Sequence, residues 1–211
     1  MRQLVLVGAG VHGKVVLEVF RALGCFNVVG FVDPNPAAPT LLGLPVIGSD
    51  AMLHTLRAQG VESAFVALGD NRQRQRVAEQ LLAIGFALPT AIHPSALISP
   101  SARIGAGAVI MARSVVGTES VIDDLVILNT GAIVDHDNLL CAAAHVAPGC
   151  ALAGSVKVGE RALVGVGCAV RPGITIGADA VVGAGSAVVA DVPAAARVGG
   201  VPARPLKDRG P

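Results

Sequence analysis

The chain has 211 residues, of which 53% are hydrophobic and 15% are charged, and its formal net charge is +1. This composition provides enough apolar material for a packed core and too little charge for a disordered chain. The near-neutral balance without a basic patch argues against nucleic acid as a partner. No stretch has the pattern of a signal peptide or of a membrane span, so we expect a cytoplasmic protein.

The first ninety residues alternate buried strands with helices. A parallel α/β unit of so few strands is smaller than a complete dinucleotide-binding domain, so we predict a truncated Rossmann-like domain over residues 1–91. Asn71 is the expected N-cap of the last helix. The predicted strands are residues 3–7, 28–32 and 63–68, and the predicted helices are residues 14–23, 53–59 and 72–84.

A glycine-rich turn joins the first predicted strand to the first helix. Gly8, Gly10 and Gly13 form Gly-x-Gly-x-x-Gly, in which glycine lets the backbone approach a phosphate at the helix N-terminus. Asp33 ends the second strand and is placed to contact a ribose or a base. We predict a nucleotide or nucleotide-sugar pocket here; a turn that only packs helix on strand, or an NAD site, are the alternatives.

From Ile92 onward the sequence repeats every six residues. Seventeen successive residues at this spacing, Ile92 to Val188, are aliphatic (the aliphatic positions), and four residues after each comes Ala, Ser or Cys in 12 of 17 cases (the small positions). Neither an amphipathic helix nor an alternating strand has this period. Three six-residue sides make a triangular coil of 18 residues. The sequence therefore predicts a left-handed parallel β-helix over residues 92–211.

The aromatic residues support a domain boundary near the start of this repeat. All five Phe precede Ile92, and Trp and Tyr are absent, as expected if a narrow coil has no room for rings. We place the boundary between Pro89 and His93. Because a prism with flat apolar sides buries them best against its own copies, we predict a cyclic homotrimer with identical clefts between its subunits.

Five motifs together resemble one known family. The chain resembles the bacterial hexapeptide-repeat sugar acyltransferases of the sialic-acid O-acetyltransferase type, and within them the nucleotide-linked amino-sugar N-acetyltransferases of bacillosamine or perosamine biosynthesis. The motifs are Gly-Ala-Gly-Val-His-Gly-Lys at 8–14, Ala-Leu-Gly-Asp-Asn at 67–71, Asn-Thr-Gly-Ala-Ile-Val-Asp-His-Asp at 129–137, His-Val-Ala-Pro-Gly at 145–149 and Gly-Val-Pro-Ala-Arg at 200–204.

The resemblance implies a reaction and its partners. It implies transfer of an acetyl group from acetyl-CoA to a nucleotide-linked 4-amino sugar in polysaccharide biosynthesis, with acetyl-CoA bound between neighbouring β-helices and the sugar nucleotide on the N-terminal domain. Some amino-sugar enzymes carry Glu after the catalytic histidine, where this chain has Asp137. An O-acetyltransferase of sialic acid or another sugar hydroxyl is therefore the first alternative, and a non-catalytic nucleotide-sugar-binding subunit is the second.

The candidate catalytic residues lie around His136. This histidine is the third residue of its repeat, near a turn, between Asp135 and Asp137, and a carboxylate beside an imidazole suits a general base. Gly154 follows one 18-residue coil later, so its N–H is expected beside His136 as an oxyanion donor. A polar turn with an ordinary glycine is the alternative. No Ser-His-Asp or Cys-His constellation is obvious, which favours direct transfer.

The resemblance also assigns the binding residues. His145 and Asn129 are expected to contact the acceptor or the acetyl group, and residues 199–207 to form a loop along CoA in which Arg204 and Lys207 meet its phosphates. No metal is expected, because the chain has no CxxC pair and its five histidines lack the spacing of a β-helix carbonic anhydrase. The residues expected to bind the nucleotide sugar are Gly8, Gly10, His12, Gly13, Asp33 and Gly69.

Overall fold

The computed structural model of the protein describes residues 1–206. The chain divides into two compact units, Met1–Pro94 and a second unit that begins at Ser95. Over this part of the chain, none of the helices has the length and hydropathy needed to cross a bilayer.

The elements of the first unit are β1 (Arg2–Val7), α1 (Val11–Leu23), β2 (Phe26–Val32), β3 (Thr40–Leu41), β4 (Leu44–Gly48), α2 (Met52–Ala58), β5 (Ser63–Val66), α3 (Asn71–Ile84) and β6 (Ala91–Ile92). This unit is built on a five-stranded sheet with the order β3-β4-β2-β1-β5. β2, β1, β5 and β4 run parallel, and the short edge strand β3 pairs antiparallel with β4.

Buried apolar residues and helix caps define these elements. Leu4 to Val7 are almost fully buried in the central strand β1, as expected for a parallel strand with a neighbour on each side. α1 ends at Leu23 and is capped by Gly24, whose positive φ closes the last turn. The predicted cap of α3 is wrong: Asp70, and not Asn71, accepts a hydrogen bond from the N–H of Gln73 at 2.7 Å. The strands β3 and β4 had no sequence signal, because they are short and only partly buried.

The second unit consists of two-residue strands that fall into three parallel sheets. The first sheet contains β7 (Leu97–Ile98), β10 (Val115–Val116), β13 (Ile133–Val134), β16 (Ala151–Leu152), β19 (Ala169–Val170) and β22 (Ala187–Val188). The second contains β8 (Arg103–Ile104), β11 (Val121–Ile122), β14 (Leu139–Leu140), β17 (Lys157–Val158) and β20 (Thr175–Ile176). The third contains β9 (Val109–Ile110), β12 (Ile127–Leu128), β15 (His145–Val146), β18 (Leu163–Val164), β21 (Val181–Val182), β23 (Arg197–Gly199) and the antiparallel β24 (Arg204–Pro205).

Each strand pairs with the strand one coil further on. Val115 is in register with Ile133, and Ile133 with Ala151, so one coil takes 18 residues. Every aliphatic position from Ile110 to Val188 is buried, and so is every small position from Ala108 onward. These two sets of side chains form the core of a β-helix.

Two kinds of turn residue keep the coils in place. The residue before each small position from Ala108 to Ser186 has a positive φ, as Asp137 does at 56° and Gly149 at 68°. Five of the six glycines that directly follow aliphatic positions have a different role, because they allow close packing of the coils. A Cβ on Gly117 would lie 2.7 Å from the backbone carbon of Asp135 in the next coil. Glycine is therefore required there by space and not by backbone conformation.

Candidate active site

His136 lies in the turn between β13 and β14, and two flanking carboxylates hold it. Its Nδ1 is 2.7 Å from Oδ2 of Asp137, and its backbone N–H donates to Oδ1 of Asp135 at 2.8 Å. The N–H of Asp137 donates to the carbonyl of Thr118 in the preceding coil at 2.9 Å. More than half of each side chain of the His136–Asp137 pair is exposed, so the imidazole is both oriented and accessible.

The contact with Asp137 determines the protonation of the ring. An ionised carboxylate only accepts hydrogen bonds, so Nδ1 of His136 carries the proton and Nε2 is the free base. The hydrogen bond to Asp137, together with the charge of Asp135, raises the pKa of His136 above its ordinary value of 6.5. This arrangement can accept a proton from a nucleophile and stabilise the imidazolium that results.

Gly154 lies against the imidazole, one coil above it. A Cβ at Gly154 would lie 3.0 Å from Nδ1 of His136 and would overlap Cε1 and Nε2. The backbone N–H of Gly154 has no acceptor within residues 1–206, whereas its carbonyl accepts from the N–H of Gly173 at 3.0 Å. Gly154, whose N–H is free to donate, therefore lies beside the edge of the ring that carries the free base.

The structure pairs two further predicted site residues, at a different corner of the β-helix. Nδ2 of Asn129 is 3.2 Å from Nε2 of His145. The amide nitrogen can only donate, so Nε2 of His145 accepts and its Nδ1 holds the proton. Asn129 directly follows β12, where the third sheet meets the first, whereas His136 follows β13, where the first sheet meets the second. Within one chain these two clusters lie at opposite ends of a strand of the first sheet.

The glycines of the N-terminal turn have three distinct roles. Gly8 has a φ of 108°, and a Cβ there would lie 2.7 Å from Leu68. A Cβ on Gly13 would overlap the carbonyl of Gly8, so Gly13 allows α1 to pack closely on the turn. A Cβ on Gly10 would meet no atom within 4 Å, and Gly10 caps α1 without a side-chain hydrogen bond. The start of α1 is therefore open to an anionic group.

Asp33 and Gly69 lie near this turn, at the carboxyl ends of the parallel strands. Asp33 accepts from the N–H of Ala9 and of Asn35, each at 2.8 Å, so its carboxylate also holds the glycine turn in place. A cavity of about 180 Å³ is lined by Gly8 and Asp33, and another of about 360 Å³ by Gly10 and neighbouring residues. A Cβ on Gly69 would meet open space. The strand ends of such a sheet are where ligands bind.

The ring of His12 is neutral. Burial, and secondarily the charge of Arg74, lowers the pKa of His12 to about 4. Its Nε2 is buried without a hydrogen-bond partner among the residues described. Unlike a lysine or arginine, His12 therefore brings no positive charge to a phosphate at neutral pH.

The C-terminal residues predicted to contact CoA are only partly described. Arg204 is exposed in β24, and its Nη1 donates to the carbonyl of Ala203 at 2.9 Å. Lys207 lies outside the described residues. Within residues 1–206 no three His, Cys, Asp or Glu side chains are grouped so that they could hold a metal ion.

The sequence did not indicate that two buried polar residues, Arg74 and Asn138, support the candidate sites. Arg74 is 1% exposed and donates to the carbonyl of Leu68 at 3.1 Å and to Oδ1 of Asn71 at 2.9 Å, which ties the end of β5 to α3. Asn138 is also 1% exposed and lies beneath the turn of His136. Its signal in the sequence was that no other small position holds an amide side chain.

The fold and this site together define a class of enzyme. A β-helix with six-residue sides carries a histidine base and a free backbone donor, and an α/β unit with an anion-accepting turn precedes it. These features define a hexapeptide-repeat acyltransferase whose β-helix follows a Rossmann-like domain.

Comparisons with known proteins identify the family. Residues 3–81 match the family model described as the PglD N-terminal domain. PerB from Caulobacter crescentus, solved in complex with CoA and GDP-perosamine, is 50% identical with a TM-score of 0.94, over 98% of each chain. The acetyltransferase domain of PglB from Neisseria gonorrhoeae FA1090, in complex with acetyl coenzyme A, is 43% identical with a TM-score of 0.91, over 97% of this chain and 99% of that one. WeeI from Acinetobacter baumannii AYE is 22% identical over 98% of this chain, with a TM-score of 0.89, and shows the same fold.

The chain belongs to the hexapeptide-repeat nucleotide-sugar acetyltransferase family, and it is an acetyltransferase. The predicted fold class, a truncated Rossmann-like domain followed by a left-handed parallel β-helix, is confirmed. The resemblance to the amino-sugar acetyltransferases is confirmed as well.

Proposed function

We propose that the protein transfers an acetyl group from acetyl-CoA to the amino group of a nucleotide-linked 4-amino sugar. The observation that carries this proposal is the pair formed by His136 and Gly154, which supplies a base and an oxyanion donor side by side. The relatives support the choice of substrates, because PerB was solved with CoA and GDP-perosamine and the PglB domain with acetyl coenzyme A.

The residues suggest how the transfer proceeds. The neutral amine of the sugar attacks the thioester carbonyl carbon, and Nε2 of His136 accepts a proton from the amine nitrogen as the new C–N bond forms. The carbonyl oxygen becomes an oxyanion that accepts a hydrogen bond from the N–H of Gly154. When the tetrahedral intermediate collapses, the C–S bond breaks. The CoA thiolate then takes the proton from His136, which returns to its neutral form.

Direct transfer is favoured over an acyl-enzyme. Cys150 and Cys168 are buried, and their thiols donate to backbone carbonyls of the next coil. Burial raises the pKa of Cys150 to about 11, so it is protonated at neutral pH and unsuited to act as a nucleophile. Positioning of both substrates in a ternary complex would then supply much of the rate.

The outer face of the first sheet supports the proposed trimer. Leu97 and Ile133 are 68% and 45% exposed, and the outward residues that continue this face are Val115, Ala151, Ala169 and Ala187. The corresponding residues of the second sheet include Arg103, Lys157 and Thr175. A flat, wholly apolar face is the one that a homo-oligomer would bury.

A trimer closed over this face would complete the site. His136 follows one end of the strands of the first sheet, and the Asn129–His145 pair lies at the other end. Burial of this sheet between copies would bring His136 towards Asn129 and His145 of the partner subunit, where they could contact the acceptor. In this proposal residues 1–91 hold the nucleotide, residues 92–211 carry the chemistry, and Arg204 contacts CoA phosphates.

A thiol-release assay tests the function. The protein is incubated with acetyl-CoA and, separately, a GDP-linked 4-amino sugar, a UDP-linked 4-amino sugar and sialic acid, and free CoA thiol is measured. We expect turnover with an amino sugar. We expect His136→Ala to reduce kcat at least about 100-fold, while the trimer survives in size-exclusion chromatography. Turnover with sialic acid alone would contradict the proposal and favour O-acetylation. A cytoplasmic location and a part in polysaccharide biosynthesis stay predictions that depend on these substrates.

A further inference from the structure

Asn138 occupies a small position but differs from every other residue of that set. The other sixteen positions hold Ala, Ser, Cys, Val or Ile. Its side chain is larger than that of Ala, Ser or Cys, and it is 1% exposed. Burial of an amide is costly unless its donors and acceptor are satisfied. Asn138 therefore has to form specific hydrogen bonds inside the coil.

All polar groups of the Asn138 side chain are paired, and most of its partners belong to the catalytic turns. Its Nδ2 donates to the carbonyls of Asp135 at 2.8 Å, of His136 at 3.1 Å and of Ala153 at 3.1 Å. Its Oδ1 accepts from the N–H of Val156 at 3.0 Å. A single side chain thus links the turn that carries His136 to the turn one coil above.

Other polar residues at small positions make only part of this connection. Ser114 donates to the carbonyl of Met111 in its own turn at 2.6 Å. The thiol of Cys150 donates to the carbonyl of Gly165, one coil above, at 2.9 Å. A hydroxyl or thiol has a single hydrogen and donates to the carbonyl of one turn, whereas the two hydrogens of Asn138 donate to carbonyls of both turns.

The hydrogen bond from Asn138 to the carbonyl of Ala153 is the one that affects the N–H of Gly154. The carbonyl of Ala153 and the N–H of Gly154 belong to the same peptide plane, so a donor on that oxygen fixes the direction of that N–H. A hydrogen bond to the carbonyl also polarises the peptide and strengthens its N–H as a donor. A base and an oxyanion donor have to be held within about 0.5 Å of their productive positions.

We propose that Asn138 is a positioning residue that holds the Gly154 N–H and the His136 imidazole in the relative positions that the reaction requires. This inference depends on the proposed function, because it assumes that these two groups act on one tetrahedral intermediate. Ser120 supports the arrangement from the coil below, since its Oγ donates to the carbonyl of Asp135 at 2.6 Å and accepts from the N–H of Asn138 at 3.1 Å.

The test compares Asn138→Ala and Asn138→Ser with wild type in the thiol-release assay. We expect Asn138→Ala to lower kcat about 10- to 100-fold, because an oxyanion donor is worth about 100-fold or more and the variant misaligns it without deleting it. Asn138→Ser keeps one donor and should lose less. KM for both substrates should stay within about twofold, since Asn138 contacts neither acetyl-CoA nor the sugar in this proposal and their ground-state binding does not change. The pH at which kcat falls should be the same in the variants as in wild type, because Asp137 still pairs with His136.

The matched control is Ser114→Ala, which removes a buried hydrogen bond to a turn carbonyl at a different corner of the β-helix from His136. It should lower thermal stability and leave kcat unchanged. A folded Asn138→Ala protein with kcat within twofold of wild type would overturn the proposal, and so would an equal loss in Ser114→Ala. If Asn138→Ala does not fold, Asn138→Ser decides by the same criterion, and failure of both would assign Asn138 to folding alone. A wild-type protein that is inactive with every acceptor would instead remove the proposed function.

Discussion

Replacement of Gly154 by alanine tests the stacking of this residue on His136. The backbone of Gly154 is not in the left-handed region, so alanine is tolerated by the main chain and its N–H remains available. The substitution therefore moves the base without removing the oxyanion donor. The expected effect comes from the added methyl group alone.

The size of the effect follows from the space available. The new Cβ would lie 3.0 Å from Nδ1 of His136 and closer to Cε1 and Nε2. Non-bonded carbon contacts need about 3.5–4.0 Å, so the ring has to withdraw by about 1 Å. A misplacement of about 1 Å at the reacting centre costs about 100-fold in rate. We therefore expect kcat of Gly154→Ala to fall about 100-fold, equivalent to about 2.7 kcal/mol of transition-state stabilisation.

The measurement is CoA thiol release with saturating substrates, with circular dichroism and size-exclusion chromatography to establish folding. Gly183→Ala is the matched control in the same β-helix, because a Cβ there meets its nearest atom, the carbonyl oxygen of Val198, at an ordinary 3.4 Å. The control should keep wild-type kcat. A folded Gly154→Ala protein with kcat within threefold of wild type would refute the stacking geometry.

Three further substitutions test other parts of the structure. Wild-type activity should be lost as the pH falls through the raised pKa of His136, because only the neutral ring is a base. Asp137→Asn removes the main cause of that raised pKa. The acid limb of the kcat profile should therefore move to lower pH, and the plateau of the profile should fall. Ile133→Glu places a charge on the apolar first sheet and should dissociate the proposed trimer, as measured by size-exclusion chromatography. Arg74→Met leaves the carbonyl of Leu68 without the donor that the buried Arg74 supplies and should lower the free energy of unfolding in urea by about 2 kcal/mol.

Each of these expectations has a result that would contradict it. An acid limb that stays in place in Asp137→Asn would show that this carboxylate does not control the base. A trimeric Ile133→Glu protein would exclude the first sheet as the interface, and Lys157→Glu on the second sheet is its control. Arg74→Met with wild-type stability would show that Leu68 finds another donor.

The architecture was readable from sequence because it depends on local periodicity. In a coil with six-residue sides, each side-chain direction follows from its place in the repeat, so Ile110 and every sixth residue after it had to face the core. The same arithmetic predicted that Gly154 lies one coil above His136, and the structure places the glycine against the imidazole.

Other features of the candidate site could not be read in this way. The sequence showed Asn129 and His145 as separate motifs, and their hydrogen bond exists because the coil returns to the same corner. His12 stays a predicted substrate contact, and only the structure shows that its Nε2 is buried and its ring neutral. Asp33 was predicted to contact a ribose or a base, and the structure shows that its carboxylate also holds the glycine turn.

The sequence by itself determined the period, and with it the fold, the core and the neighbour of the histidine. The tertiary structure alone decided how polar atoms of successive coils meet. Asn138 illustrates the difference: the sequence shows it as one exception among small residues, and only the folded coil shows its amide bound to the carbonyls of Asp135 and Ala153, in the turns of His136 and Gly154. The reason is physical, since burial depends on the direction of a side chain, whereas a hydrogen bond depends on distances and angles between residues far apart in the chain.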